Sequence, residues 1–362
     1  MLRFLIVFLF TAFTFFAQDN DTLLTHLLRI ENDTECVNQL YRNGLALADK
    51  DPKLAYAMAQ YSERIANNGH SQKHISYASN LLGVLLTKQG HYKKALVYIE
   101  KYVSINKALN NTLGIAIGCR NLGNIYLRLK QFQQAEAYFL EALNYYNSVN
   151  NREEVANELI NLGVLKHQQG QIEAALQNYE KALQAGKELN DYEIKAICLN
   201  NLAQICSDNG NYEKALAYNS DALELRGLMG LDVDVADSYL SIAEVALKQK
   251  DGALAEENLN SALALCKQLD YFEGKITYHK LLSEIYSQKN NYQSAYENLK
   301  IYETLNDSFL QLQTDEPENE FNNTFDAPNY NSTKPALKNS WLLILLSFIL
   351  IIVPFTLIRY KR

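Results

Sequence analysis

The chain has 362 residues, with 34 basic and 41 acidic side chains and a net charge of −7. The lack of a basic excess argues against nucleic acid as a partner. Five cysteines are too few for a disulfide scaffold, and residues 53–316 contain no proline, which permits one long helical run and argues against a loop-rich β fold.

The first seventeen residues are typical of a secretory signal peptide. Arg3 precedes an apolar run over 4–16, and the small residue Ala17 stands before Gln18. The run is short for a membrane span, so we expect cleavage after Ala17, with an uncleaved N-terminal anchor as the alternative. Residues 18–33 are then expected to form an N-terminal helical cap.

A repeat of forty residues occupies the middle of the chain. One alanine phase recurs seven times, at Ala55, Ala95, Ala135, Ala175, Ala215, Ala255 and Ala295. Twelve residues before most of these alanines lies a second small-residue phase, at Gly83, Gly123, Gly163, Ala203, Ala243 and Ser283. Small side chains at fixed phases let two helices cross closely, so each copy is predicted to be a pair of helices that stacks on the next pair.

A turn is predicted between the two helices of each pair. Glycine occupies this position in three copies, at Gly90, Gly170 and Gly210, and it is replaced in the others by Lys130, Lys250 and Asn290. The pattern therefore predicts an all-α solenoid of about seven helix pairs over 34–313.

The spacing resembles that of the tetratricopeptide repeat family. Its motif is matched by Asn121-Leu122-Gly123-Asn124-Ile125-Tyr126, followed by Ala135, Phe139 and Ala142. The period is longer than the family's usual 34 residues and is similar to the 40-residue type of kinesin light chains, whose Asn-Asn-Leu-Ala recurs at Asn200-Asn201-Leu202-Ala203. The resemblance implies a right-handed superhelix with a concave groove, and function must be argued from the groove rather than from the fold.

Asparagines inside the predicted first helices are the most informative polar residues, because asparagine is a poor helix-interior residue. An amide offers both a donor and an acceptor, which suits the backbone of an extended peptide. The resemblance to kinesin light chains implies the same use. The alternative is that these side chains bond one another as structural ladders. The predicted groove residues are Asn80, Arg120, Asn121, Asn124, Asn161, Asn200, Asn201 and Gln204.

No sequence signature of catalysis is found. The chain shows no glycine-rich phosphate loop, nucleophile elbow or paired carboxylates, so we expect a protein that is not an enzyme and holds no cofactor or metal.

The C-terminal part combines a polar segment with an apolar one. Residues 314–338 are rich in Asn, Asp and Glu and carry Pro317, Pro328 and Pro335, which predicts a flexible acidic linker. Residues 341–358 carry no charge and are long enough for a transmembrane helix, while a core helix is the weaker alternative. Arg359, Lys361 and Arg362 predict a cytoplasmic tail at 359–362, which leaves the bulk exported.

The sequence thus predicts an exported, membrane-anchored scaffold that binds an extended peptide or protein segment. The end of the last repeat also resembles that of bacterial membrane-anchored tetratricopeptide sensors. Their kinase or DNA-binding output domain is not found here, because only four residues follow the predicted span. The second hypothesis is therefore a receptor subunit that signals through a separate membrane kinase or regulator.

Overall fold

The computed structural model describes residues 23–30, 32–48, 51–69, 71–269 and 271–314, with side chains as far as residue 309. Within these ranges every regular element is an α-helix. Helix α1 covers 23–28. The others are α2 (Asp33–Leu47), α3 (Pro52–Asn68), α4 (Gln72–Lys88), α5 (Tyr92–Ala108), α6 (Thr112–Arg128), α7 (Phe132–Ser148), α8 (Arg152–Gln168), α9 (Ile172–Leu189), α10 (Tyr192–Asp208), α11 (Tyr212–Met229), α12 (Asp232–Lys248), α13 (Gly252–Gln268), α14 (Phe272–Gln288) and α15 (Tyr292–Thr314).

The described residues fall into two compact units, 23–78 and 79–314. In the first unit, α1 lies within the segment predicted as a cap. Its Leu24 and Leu27 pack in one buried cluster with residues of α2 and α3, among them Val37, Leu40 and Met58. Two leucines of a six-residue helix thus cover an apolar surface of α2 and α3.

The second unit is an all-α repeat solenoid with the predicted period. Its even-numbered helices are the first helices of successive pairs, and those from α6 to α14 begin forty residues apart, at 112, 152, 192, 232 and 272. Each first helix from α6 to α14 packs on the second helix of its own pair and on that of the preceding pair. First helices also contact one another from α6 to α14, which places them on the inner side of the stack.

The small-residue phases lie where the two helices of a pair cross. A Cβ atom added to Gly83, Gly123 or Gly163 would come within 2.4–2.5 Å of Ile99, Phe139 or Tyr179 on the facing second helix. In the next two copies alanine replaces glycine, and the facing positions hold Asn219 and Leu259, which are smaller than Phe139 and Tyr179. The alanines of the other phase, from Ala95 to Ala255, are fully buried.

The predicted turn positions adopt the left-handed conformation. The backbone φ angle is positive at Gly90, Gly170 and Gly210, and also at Lys130, Lys250 and Asn290. A second series of positive φ angles, which the sequence analysis missed, joins each pair to the next at Asn110, Asn150, Asn190 and Gly230. Asparagine and glycine tolerate this conformation better than other residues do, so asparagine at that phase was the available signal.

The membrane-related predictions fall on other parts of the chain. The expected signal peptide at 1–17, most of the linker at 314–338, the expected span at 341–358 and the tail at 359–362 lie outside the described residues. Among the helices that the structure does describe, none combines the length and the apolar character that a bilayer crossing requires.

Candidate functional site

One inner face carries amide side chains on three consecutive first helices. Spacings of three and four residues place them along the same side of α6, α8 and α10. We name this surface the amide face, and it consists of Asn121, Asn124, Asn157, Asn161, Asn201 and Gln204. All of these side chains are half-buried except that of Gln204, which is exposed.

Asn80 and Asn121 bond to each other from one first helix to the next. The amide Nδ2 of Asn121 donates to Oδ1 of Asn80 at 2.9 Å, and Asn80 is buried. At Asn80 and Asn121 this contact matches the structural-ladder alternative. Asn80 therefore offers little surface to a ligand.

Arg120 forms ion pairs and a ring contact with other helices of the solenoid. Its guanidinium donates to Glu158 and Glu154 of α8 and stacks over the ring of Tyr146, 5.0 Å from the centroid. Glu158 is fully buried, and burial raises the pKa of its carboxyl while the Arg120 charge opposes that rise. Arg120 therefore neutralises a buried carboxylate between α6 and α8. Its guanidinium has a structural role rather than a ligand-binding one.

The predicted asparagines of α8 and α10 have different partners. Asn161 Nδ2 donates to Glu158 at 3.3 Å, and Asn201 Nδ2 donates to the backbone carbonyl of Ile197 at 2.9 Å. With its amide oxygen turned toward the Arg226 guanidinium, Asn200 accepts from Nη1 and Nη2 at 2.9 and 3.0 Å. Asn200 thus connects α10 to α11, whereas Asn161 and Asn201 keep their amide oxygens directed to no donor within the described chain.

Two further predicted residues make the fewest side-chain hydrogen bonds to other helices. Within the described residues Asn124 makes no side-chain hydrogen bond, and exposed Gln204 bonds only to Asp208 on its own helix, at 2.8 Å. Sequence reasoning missed Asn157, whose Nδ2 donates to Glu154 at 3.2 Å. Its position four residues before Asn161 on the same helix was the signal that could have found it.

The inner face changes character beyond α10. A cavity of about 220 Å³ lies between α12 and α14, with Leu247 and Leu281 among its lining residues and charged side chains around them. Lys248 is held by Glu244 at 3.2 Å, and Lys280 and Glu284 also line the cavity. The amide face is therefore a run of neutral side chains, two of which bond to the acidic Glu154 and Asp208, whereas lysine and glutamate line the α12–α14 cavity.

Comparison with known families identifies the repeats. One tetratricopeptide repeat model matches residues 115–188 and 154–227, and a second matches 77–109. The chain carries tetratricopeptide repeats. The matched residues 115–227 include every residue of the amide face, which therefore lies on first helices of these repeats. No curated protein matches the chain in sequence.

Solved structures with the same fold include a peptide complex. The crystal structure of NprR in complex with its cognate peptide NprX has a TM-score of 0.57 and 19% identity, over 91% of each chain. A Rap protein complexed with competence and sporulation factor has a TM-score of 0.55 and 16% identity, over 80% of each chain. The apo quorum sensor NprR from B. thuringiensis has a TM-score of 0.52 and 18% identity, over 79% of this chain and 91% of that one. At these identities the likeness shows the fold alone.

Proposed function

We propose that the chain is a non-enzymatic scaffold whose amide face binds an extended peptide or protein segment. The observation that carries this proposal is the row of amides on three consecutive first helices, with the amide oxygens of Asn157, Asn161 and Asn201 directed to no donor within the described chain. An amide oxygen there can accept from a ligand backbone N–H, and an amide nitrogen can donate to a ligand carbonyl.

The spacing of the helices sets the length of the ligand. Packed helices lie about 8–10 Å apart, and an extended chain advances about 3.3 Å per residue. About three ligand residues therefore cover the distance from one first helix to the next. The two spacings from α6 to α10 accommodate about seven residues in all. The peptide complex of the similarly folded NprR supports this use of such a solenoid.

The structural contacts divide the predicted groove residues by role. Asn80, Arg120 and Asn200 hold the helices together, so we propose that they support the groove from beneath. Asn124 and Gln204 are proposed as direct ligand contacts, together with Asn161, Asn201 and the added Asn157. Asn121 donates to Asn80 with one amide hydrogen and keeps its oxygen for a ligand.

Export and anchoring belong to the same proposal. They rest on the composition of 1–17 and 341–358, which gives one topology with the solenoid outside and the tail at 359–362 inside. Digestion of intact cells by an added protease tests this topology. We expect removal of the solenoid while an epitope after residue 362 stays protected, and a protected solenoid contradicts export. The receptor hypothesis would need a membrane kinase that crosslinks to the predicted span.

A displayed library of random heptapeptides, panned against the detergent-solubilised full chain, tests peptide binding. We expect enriched sequences, and we expect Asn124→Ala to weaken the best synthetic peptide about tenfold, because one or two amide hydrogen bonds of about 1 kcal/mol each are lost. The matched control is Asn144→Ala, an exposed asparagine on the second helix α7. Failure to enrich any peptide, or equal weakening by both variants, contradicts the proposal.

A further inference from the structure

Three aliphatic side chains complete the surface on which the amide face lies. Each of the helices α6, α8 and α10 has three inner positions, spaced four and three residues apart along one side of the helix. Six of these nine positions hold the residues of the amide face. The other three hold half-buried aliphatic residues, which are Ile117, Val164 and Ile197. None of the nine side chains therefore carries a charge.

The aliphatic position changes sides from one helix to the next. The middle position is asparagine on all three helices, and we name these residues the middle row: Asn121, Asn161 and Asn201. The aliphatic residue stands four residues before the middle asparagine on α6 and α10, but three residues after it on α8. The opposite outer position of each helix holds an amide, at Asn124, Asn157 and Gln204. The alternation ends with the amide face, because the equivalent positions of α12 hold Asp237, Ser241 and Glu244.

An extended peptide that crosses these helices has the same alternation. Its successive side chains point to opposite sides of the backbone. About three of its residues cover the distance from one first helix to the next. Because three is an odd number, the side chains of ligand residues 1, 4 and 7 reach the three helices on alternate sides of the middle row. A helical ligand presents a single apolar stripe and does not match this arrangement.

We propose that the amide face and its three aliphatic neighbours select an extended peptide with an aliphatic side chain at every third residue. Ligand residues 1, 4 and 7 contact Ile117, Val164 and Ile197, in that order or in reverse, while the middle row bonds to the ligand backbone. A charged side chain at these ligand positions loses water without gaining an ionic partner among the nine residues, which is costly. The proposal rests on the proposed peptide binding and adds the side-chain pattern of the ligand to it.

The library of random heptapeptides, panned against the detergent-solubilised full chain, tests this pattern. A heptapeptide admits the three-residue spacing in one register only, so we expect leucine, isoleucine or valine at positions 1, 4 and 7 of the enriched peptides. Alanine in place of the central aliphatic residue is expected to weaken the best peptide about tenfold, because about two buried methylene groups are lost. Enriched peptides without this spacing overturn the pattern and leave peptide binding intact, whereas failure to enrich any peptide contradicts both.

Exchange of two residues on α8 tests the alternation itself. The variant Asn157→Val/Val164→Asn moves the aliphatic side chain of this helix to the side that Ile117 and Ile197 occupy. We expect the aliphatic preference at ligand position 4 to shift to position 3 or 5, with about a tenfold change in the ratio of affinities for the two isomeric peptides. The matched control is Val97→Asn on the second helix α5, where Val97 is 64% exposed. This control is expected to keep the preference at position 4.

Circular dichroism establishes that both variants keep their helicity. A folded exchange variant that retains the preference at position 4 overturns the alternation. The library panned against the unaltered chain tests the same pattern without any change to α8.

Discussion

Glycines in the first helices set how closely the two helices of a pair approach. At Gly123 the space that a side chain would need is filled by Phe139, whose Cε1 would lie 2.5 Å from an added Cβ. Alanine favours the helix over glycine by about 1 kcal/mol, but overpacking in a dense core costs about 1–3 kcal/mol. We therefore expect Gly123→Ala to lower the free energy of unfolding by up to about 2 kcal/mol in urea titrations.

Gly227 is the matched control for that substitution, because it lies inside α11 and an added Cβ would meet no atom within 4 Å. Gly227→Ala is expected to raise stability by up to about 1 kcal/mol. The double variant Gly123→Ala/Phe139→Leu recreates the pairing of Ala243 with Leu259 and should be less destabilised than the sum of its single variants. If the losses of stability of the two single variants simply add up in the double variant, the close contact between Gly123 and Phe139 is not the cause.

Arg120 distinguishes a structural residue from a ligand-binding one. Its removal leaves Glu158, which is fully buried, without its cationic partner. Breaking a buried ion pair from one side costs about 3–5 kcal/mol, and the partial exposure of the arginine side chain favours the lower end. We expect Arg120→Ala to lower the free energy of unfolding by about 3 kcal/mol, measured by urea titration.

The companion variant separates charge from packing. Arg120→Ala/Glu158→Gln removes the unpaired carboxylate and is expected to recover about half of the lost stability, the rest being the contact of the arginine with Tyr146. If Arg120→Ala leaves stability unchanged and weakens only peptide binding, the structural assignment of this residue is wrong.

At the scale of helices, the sequence predicted where the helices cross and turn, but not which side chains bond to each other. The forty-residue phase predicted the helix crossings, because close packing restricts the side chain there to a small one. It also predicted the first series of turns, because a left-handed backbone favours glycine, which three copies carry. It could not predict the ion pairs of Arg120, because its acidic partners lie 34 and 38 residues away and this set of three charged residues occurs in one copy only. Periodicity therefore predicted the shared fold, while the division between supporting and ligand-facing amides required the side-chain contacts.

Helix starts within the array differ in their capping side chains. Asp251 caps α13 by accepting from the backbone N–H of Leu254 at 3.0 Å, whereas Gln171 precedes α9 without a side-chain cap. Loss of an aspartate cap costs about 1 kcal/mol. We expect Asp251→Ala to lower the free energy of unfolding by about that amount and Gln171→Ala to change it little. Thermal and urea unfolding of both variants measure the difference, and equal effects would contradict the capping role.

At the scale of the whole solenoid, the energy of each pair depends on its neighbours. An array of this kind behaves as a sum of repeat energies and nearest-neighbour interfaces. Removal of one full period, residues 192–231, joins Asp191 to Asp232 and sets the second helix α9 against the first helix α12. The deletion removes Asn200 and Arg226 together, so no half of that pair remains buried alone.

We expect this forty-residue deletion to fold with unchanged helicity per residue and a single cooperative urea transition at a lower midpoint. The matched control deletes half a period, residues 192–211, which removes only α10 and its turn and sets the second helix α9 against the second helix α11. Their small-residue phases then no longer face first-helix partners, so cooperativity should be lost. Circular dichroism and urea titration measure both outcomes, and similar unfolding of the two deletions would show that register does not govern how these pairs stack.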